Sequence, residues 1–209
     1  MVWLASYPRS GNTYLRTILW HCFGLRSASI YCNDLGRNRE LEAYVGHIER
    51  DADGKLSFPI GSIPLVKTHH PPHDENPAIY VVRDGRAASV SLWKFYSGKL
   101  PLTEIIEGRH AFGTWSNHLQ AWKPYERQNT LLLKYEDMCA DLPGALKEIS
   151  EFLEKDILEV EIPARGTVAG VDGRWVTTES DWKSEISGDL LERFNELNKE
   201  MLRKMGYLS

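Results

Sequence analysis

Cysteine is scarce in this sequence: Cys22, Cys32 and Cys139 are odd in number, scattered and in no CxxC pairing. That excludes a disulfide framework and the usual zinc spacings, and leaves reduced structural thiols as the simplest expectation. Long apolar runs are missing too. No uninterrupted stretch approaches the ~20 residues that span a bilayer, so no transmembrane segment is expected. The opening residues, Met1-Val-Trp-Leu-Ala-Ser-Tyr-Pro8, have no basic lead and meet Pro8 and Arg9 too early for a secretory signal. A cytoplasmic location is expected. Positive charge is not in excess either: 25 Lys+Arg against 29 Asp+Glu give a formal net charge of −4. Bulk attraction to a phosphate backbone is thereby disfavoured, and no nucleic-acid partner is expected.

What remains is an ordinary globular composition. The 209 residues, 42% hydrophobic and 26% charged, suit one domain over 1–209 with a single sizeable core. Strand, loop and helix follow one another more than once, which predicts an α/β fold with a parallel sheet flanked by helices. Strands are expected over 2–6, 63–66, 78–82 and 130–134. Helices are expected over 12–23, stopped by Gly24, and over 37–50, 85–96, 113–123, 142–153 and 188–204. Asp84 reads as an N-cap, and so does Asp141 with Pro143 in the first turn of its helix. Residues 163–187 read as irregular, a loop that orders on ligand.

Three short segments carry the chemistry. Ser6-Tyr-Pro-Arg-Ser-Gly-Asn-Thr-Tyr14 joins the first strand to the first helix, where unpaired N–H groups and the positive dipole end suit a phosphate or sulfate. Gly11 admits the anion closely, Arg9 adds fixed charge, and Ser10, Asn12 and Thr13 add side-chain donors. The Walker A pattern GxxxxGK[ST] is absent. Lys67-Thr-His-His70 follows the strand 63–66 and faces the same crevice, because ligands of open α/β sheets bind outside the carboxyl ends of the strands. Histidine there takes a proton, and lysine neutralises growing charge. Tyr80-Val-Val-Arg83-Asp-Gly-Arg86, with Ser89 and Ser91 following, puts an arginine fork at a strand end beside helical hydroxyls. His69, His70 and His73 lack a nearby Cys or carboxylate in zinc spacing, so no metal is expected.

In this order the segments resemble the sulfotransferases that use 3′-phosphoadenosine 5′-phosphosulfate, and the similarity covers most of the chain. Ser6–Thr13 is similar to their 5′-phosphosulfate loop, Lys67-Thr-His69 to their catalytic Lys-x-His, and Tyr80–Ser91 to their 3′-phosphate motif. Gly113-Thr-Trp115, Trp122, Tyr135-Glu-Asp-Met138 and Asp181-Trp-Lys183 are similar to further family segments. The resemblance implies a three-layer sheet-and-helix domain of the P-loop NTPase-like kind. It implies His69, Lys67 and Arg9 as catalytic groups. It also implies donor binding by Arg9, Ser10, Gly11, Asn12, Thr13, Tyr14, Arg83, Ser91 and Tyr135, with Tyr135 near the adenine.

The chain also departs from that family. Arg9 stands where many members carry lysine; it keeps its proton, so it acts by charge and hydrogen bonds. The usual Arg-Lys-Gly is replaced by Trp175-Val-Thr-Thr-Glu-Ser180, leaving Arg174 as the candidate second grip on the 3′-phosphate. No family dimer motif occurs around Ser184–Glu192. The early first strand and short chain imply an open site and a large acceptor. The expected reaction is sulfuryl transfer to a hydroxyl or amine of a small molecule, glycan or other natural product. The rivals are a related nucleoside or nucleotide kinase, for which only Asp84 could serve magnesium, and a non-catalytic adenine-nucleotide module. Trp93, Phe95, Tyr96, Phe112 and Trp115 read as core before acceptor pocket. Segments 25–62 and 97–112 are expected to face the acceptor.

Overall fold

The computed structural model describes residues 1–173 and 182–208. In chain order it runs β1 (Val2–Ser6), α1 (Asn12–Phe23), β2 (Ser27–Ser29), α2 (Arg39–Val45), β3 (Leu65–Thr68), β4 (Ala78–Val82) and α3 (Gly85–Phe95). Next come α4 (Leu102–Ile106), α5 (Trp115–Trp122), β5 (Thr130–Lys134), α6 (Tyr135–Ala140) and α7 (Leu142–Leu153). Helices α8 (Arg165–Val171), α9 (Trp182–Glu185) and α10 (Asp189–Lys204) follow.

The strands form one all-parallel sheet in the order β2-β3-β1-β4-β5. Its two-residue alternation assigns each side chain to a face. Val2, Leu4, Ile79 and Val81 pack with Leu15, Ile18, Leu19 and Cys22 of α1 and with Leu146 and Ile149 of α7. Trp3, Ala5, Tyr80 and Val82 pack on the other face with Trp115, Trp122, Phe194 and Met201. The expected three-layer α/β architecture is therefore present. Each fully buried Leu or Ile on these faces contributes roughly 1.5–3 kcal/mol relative to exposure. Gly24 ends α1 in the left-handed region at φ 65°, donating its N–H to the carbonyls of Leu19 and Trp20.

Several boundaries differ from expectation. β3 spans 65–68 rather than 63–66: Pro64 has no ladder donor, and pairing with β1 and β2 continues through Lys67. Lys67 thus lies inside the strand, and His69 is the first residue beyond it. The helix expected over 37–50 is only Arg39–Val45, capped by the Asn38 side chain and ended by Gly46 at φ 63°. The stretch 163–187 is not wholly irregular. α8 docks Val168 against Leu35, Leu41 and Val45, burial that outweighs the helix penalty of Gly166 and Gly170. β2, α4 and α6 were not expected. β2 has no β-branched residue and is held as an edge strand by β3. Among the described residues no helix is long and apolar enough to cross a membrane.

Candidate active site

The sheet delivers the three motifs to one edge. The chain leaves β1 toward β2 and β3, then crosses over to β4, so the strand order reverses at β1 and a crevice opens at the carboxyl ends. There a cleft of about 280 Å3 is lined by Arg9, Gly11, Asn12, Thr13, Tyr14, Lys67, His69, Arg83, Ser91 and Tyr135, together with residues no motif predicted.

One wall suits an anion. Helix α1 has no side-chain N-cap bond and no acidic residue in its first turn, so no capping side chain or carboxylate there opposes an incoming anion. Its cap, Gly11, sits at φ 103°, and a Cβ there would lie 2.4 Å from Cδ2 of Tyr135. Only glycine lets the loop pass under that ring. Arg9 is also left-handed, at φ 66°. Its carbonyl accepts from Nη1 of Arg83 at 3.2 Å, and its Nε donates to Ser91 Oγ at 3.1 Å. These bonds tie the first motif to the third. Burial, then the neighbouring Arg83, push the Arg9 pKa down to about 10, which leaves it charged at neutral pH. Its guanidinium carbon lies 5.1 Å from the Phe95 ring centre, and that of Arg83 lies 4.7 Å from the Tyr135 ring centre.

The facing wall carries the histidine. Nδ1 of His69 lies 2.7 Å from the Ser6 carbonyl. A carbonyl only accepts, so Nδ1 bears the hydrogen and Nε2 keeps a bare lone pair. Burial, then the charge of Lys67, hold the imidazole well below its ordinary pKa, so it is neutral at pH 7. Tyr31 stacks on the ring at 5.7 Å and its hydroxyl accepts from the His69 backbone N–H at 2.9 Å. Phe112 meets the ring edge-on at 5.9 Å. The His69 carbonyl accepts from Nε2 of His118 at 3.0 Å. Lys67 is almost fully buried and its Nζ lies 2.6 Å from Oδ1 of Asp34.

Most expected residues meet here, with exceptions. Ser10 is buried away from the cleft lining, and its hydroxyl finds no partner among the described groups. The Asn12 amide turns inward, donating to the Leu4 carbonyl at 2.9 Å, because burial demands a partner. Its amide N–H thereby braces the loop, while the residue itself still lines the cleft. Arg174 and the stretch to Asp181 lie outside the described residues. Asp84 is the N-cap of α3, its Oδ1 accepting from the Arg86 N–H at 2.9 Å. Among the described residues no group of His, Cys, Asp and Glu could hold a metal. Of the aromatics, Phe95, Tyr96 and Phe112 line the cleft, whereas Trp115 is core. Sequence reasoning missed Tyr31, Asn33, Asp34, Pro163 and Val168, which sit in no recognisable spacing. The expectation that 25–62 faces the site was the only pointer to the first three.

Known proteins are similar to this chain in both sequence and fold. An amine sulfotransferase of Oryctolagus cuniculus is 24% identical over 93% of this chain and 69% of its own length. Sulfotransferase 1 family member D1 of Mus musculus is 28% identical over 75% of this chain, which spans 59% of that relative. The crystal structure of retinol dehydratase in complex with retinol and PAP superposes with a TM-score of 0.63 at 21% identity, covering 96% of this chain and 80% of that one. A family model for the sulfotransferase domain matches residues 1–164, and the chain belongs to that family.

Proposed function

We propose that this chain transfers a sulfuryl group from 3′-phosphoadenosine 5′-phosphosulfate to a hydroxyl or amine of an acceptor, with residues 1–209 acting as one cytoplasmic domain. One observation carries the reading. An uncapped helix start, the cations Arg9, Lys67 and Arg83, and a neutral histidine with a free Nε2 line a single cleft. The donor set fits a molecule with anions at both ends and an adenine between them. The α1 N–H groups with Arg9 and Lys67 would hold the sulfuryl and bridging oxygens, Arg83 and Ser91 the 3′-phosphate, and Tyr135 the adenine. Arg174 is given a second grip on the 3′-phosphate by family resemblance alone.

In this scheme the acceptor atom attacks sulfur in line while the bond from sulfur to the bridging oxygen breaks. Nε2 of His69 takes the acceptor proton. The bisphosphate leaves with the bonding electrons, and its growing charge is met by Arg9, Lys67 and the helix start. Positioning and charge stabilisation suffice, with no covalent enzyme intermediate and no metal in the scheme. Tyr31, Phe95, Tyr96 and Phe112 give the cleft aromatic walls, which favour an acceptor carrying an apolar ring, whether small molecule, glycan conjugate or other natural product. Retinol in the structural neighbour has that character.

Calorimetric titration with 3′,5′-adenosine bisphosphate, 5′-AMP and ATP, without metal, tests the donor assignment. The bisphosphate is expected to bind tighter than 5′-AMP by roughly tenfold or more, from the charge-assisted bonds to its 3′-phosphate. Equal or tighter binding of ATP overturns the reading in favour of phosphoryl transfer.

A further inference from the structure

Asp34 belongs to none of the sequence motifs, yet it is buried on the cleft lining between two cations. Its Oδ1 accepts from Nζ of Lys67 at 2.6 Å and its Oδ2 from Nη1 of Arg16 at 2.5 Å. Arg16 is itself fully buried on α1, the helix whose start forms the anion wall. Its Nε donates to Ser27 Oγ at 2.8 Å, and its Nη2 lies 2.7 Å from Nδ1 of His47. A guanidinium only donates, so that His47 nitrogen accepts and the ring is neutral. The turn presenting Asp34 is unusual in its backbone: Leu35, Gly36 and Arg37 all have positive φ, at 55°, 64° and 57°. Left-handed non-glycine residues are strained and persist where surrounding contacts enforce them.

We propose that Asp34, anchored by Arg16, is a positioning residue for the transfer reaction that keeps Lys67 charged and fixed at the reacting centre. The inference rests on the sulfotransferase reading. Lys67 extends from β3 into a site where Arg16 of α1, Arg9 of the loop, His47 after α2 and His69 surround it with cations or neutral rings. Tyr31 faces it with its ring, 5.7 Å from Nζ. Asp34 is an anion at hydrogen-bond distance from Lys67, while Glu42 of α2 lies on the Arg16 side. Burial and the charges of Arg16 and Arg9 push the lysine toward its neutral form, and Asp34 opposes them. A neutral amine could not stabilise charge growing on the leaving oxygen. Through Arg16 the carboxylate also ties Lys67 to the helix that forms the opposite wall, fixing the distance across the cleft.

The test is a double-mutant cycle with Asp34→Asn and Lys67→Met, read by turnover, pH profile and bisphosphate affinity. Wild-type turnover and bisphosphate binding establish the underlying reaction first, so its failure is seen separately. Asp34→Asn is expected to lower kcat roughly 10- to 100-fold while bisphosphate affinity stays within about threefold. Its residual rate should fall with rising pH at a lower pH than in wild type, because Lys67 then loses its proton earlier. In the Lys67→Met background the same change should have little further effect. Full additivity, or an unshifted alkaline limb, overturns the proposal. Should Asp34→Asn not fold, wild-type NMR titration of the Lys67 ε-methylene, assigned through Lys67→Arg, decides. Lys67 is expected to stay protonated across the whole pH range in which turnover is maximal, and a midpoint inside that range overturns the proposal.

Discussion

The anion wall and the histidine wall of this cleft are built on different scales of the chain. The first is largely one contiguous stretch, Pro8 to Tyr14, whose backbone donors and left-handed Arg9 and Gly11 come from a strand-to-helix turn. The second is assembled from residues far apart in sequence: Tyr31 and Asp34, Lys67 and His69, and Phe112. A wall made of backbone is tolerant of most side chains and intolerant of changed dihedrals. A wall made of side chains is the reverse, and each member depends on partners several elements away.

The contrast can be broken most directly at His69. His69→Ala is expected to lower turnover by about 10²–10⁴-fold with bisphosphate affinity unchanged; an unaltered rate in a steady-state assay would remove His69 as the base. Arg83→Ala should act on the other wall, weakening the bisphosphate about 10- to 100-fold and 5′-AMP hardly at all. Equal losses for both ligands in calorimetry would detach Arg83 from the 3′-phosphate. Gly11→Ala is the dihedral probe. The left-handed backbone adds roughly 1–2 kcal/mol and the new methyl displaces Tyr135, so affinity should fall about tenfold and the melting midpoint should drop. An unchanged midpoint would show that the loop is not dihedral-limited.

The smallest expected effect is in the pH profile. A folded pKa held below the ordinary value keeps His69 in its accepting form to lower pH. Turnover should therefore stay level from about pH 8 down through the ordinary histidine range near 6.5, then fall only on the acid side of it. A half-maximal point at or above about 6.5 would mean that the imidazole is not desolvated as its burial requires.

Much of the fold was legible because its elements announce themselves locally. β1, β4, β5, α1 and α7 match the expected bounds, since apolar runs, Gly24 and the Asp141 cap need no distant partner. The errors lie where tertiary contacts rule. Pairing on both sides carried β3 through Lys67, and docking on α2 made α8 helical despite two glycines.

For the site, the sequence by itself pointed to the anion loop, Lys67, His69, Arg83 and Ser91 through strand-end motifs and to Tyr135 through family resemblance, and all of these line one cleft. Only the tertiary structure decided which polar groups of these segments face the cleft. It turned the Asn12 amide inward, withdrew Ser10, bonded Arg9 to Ser91, and brought Asp34 against Lys67. The physical reason is that β2 pairs beside β3 and so carries the residues after Ser29 to the end of the strand bearing Lys67. No hydrophobic period or turn signal records that adjacency; a buried ammonium's need for a counter-charge makes it matter.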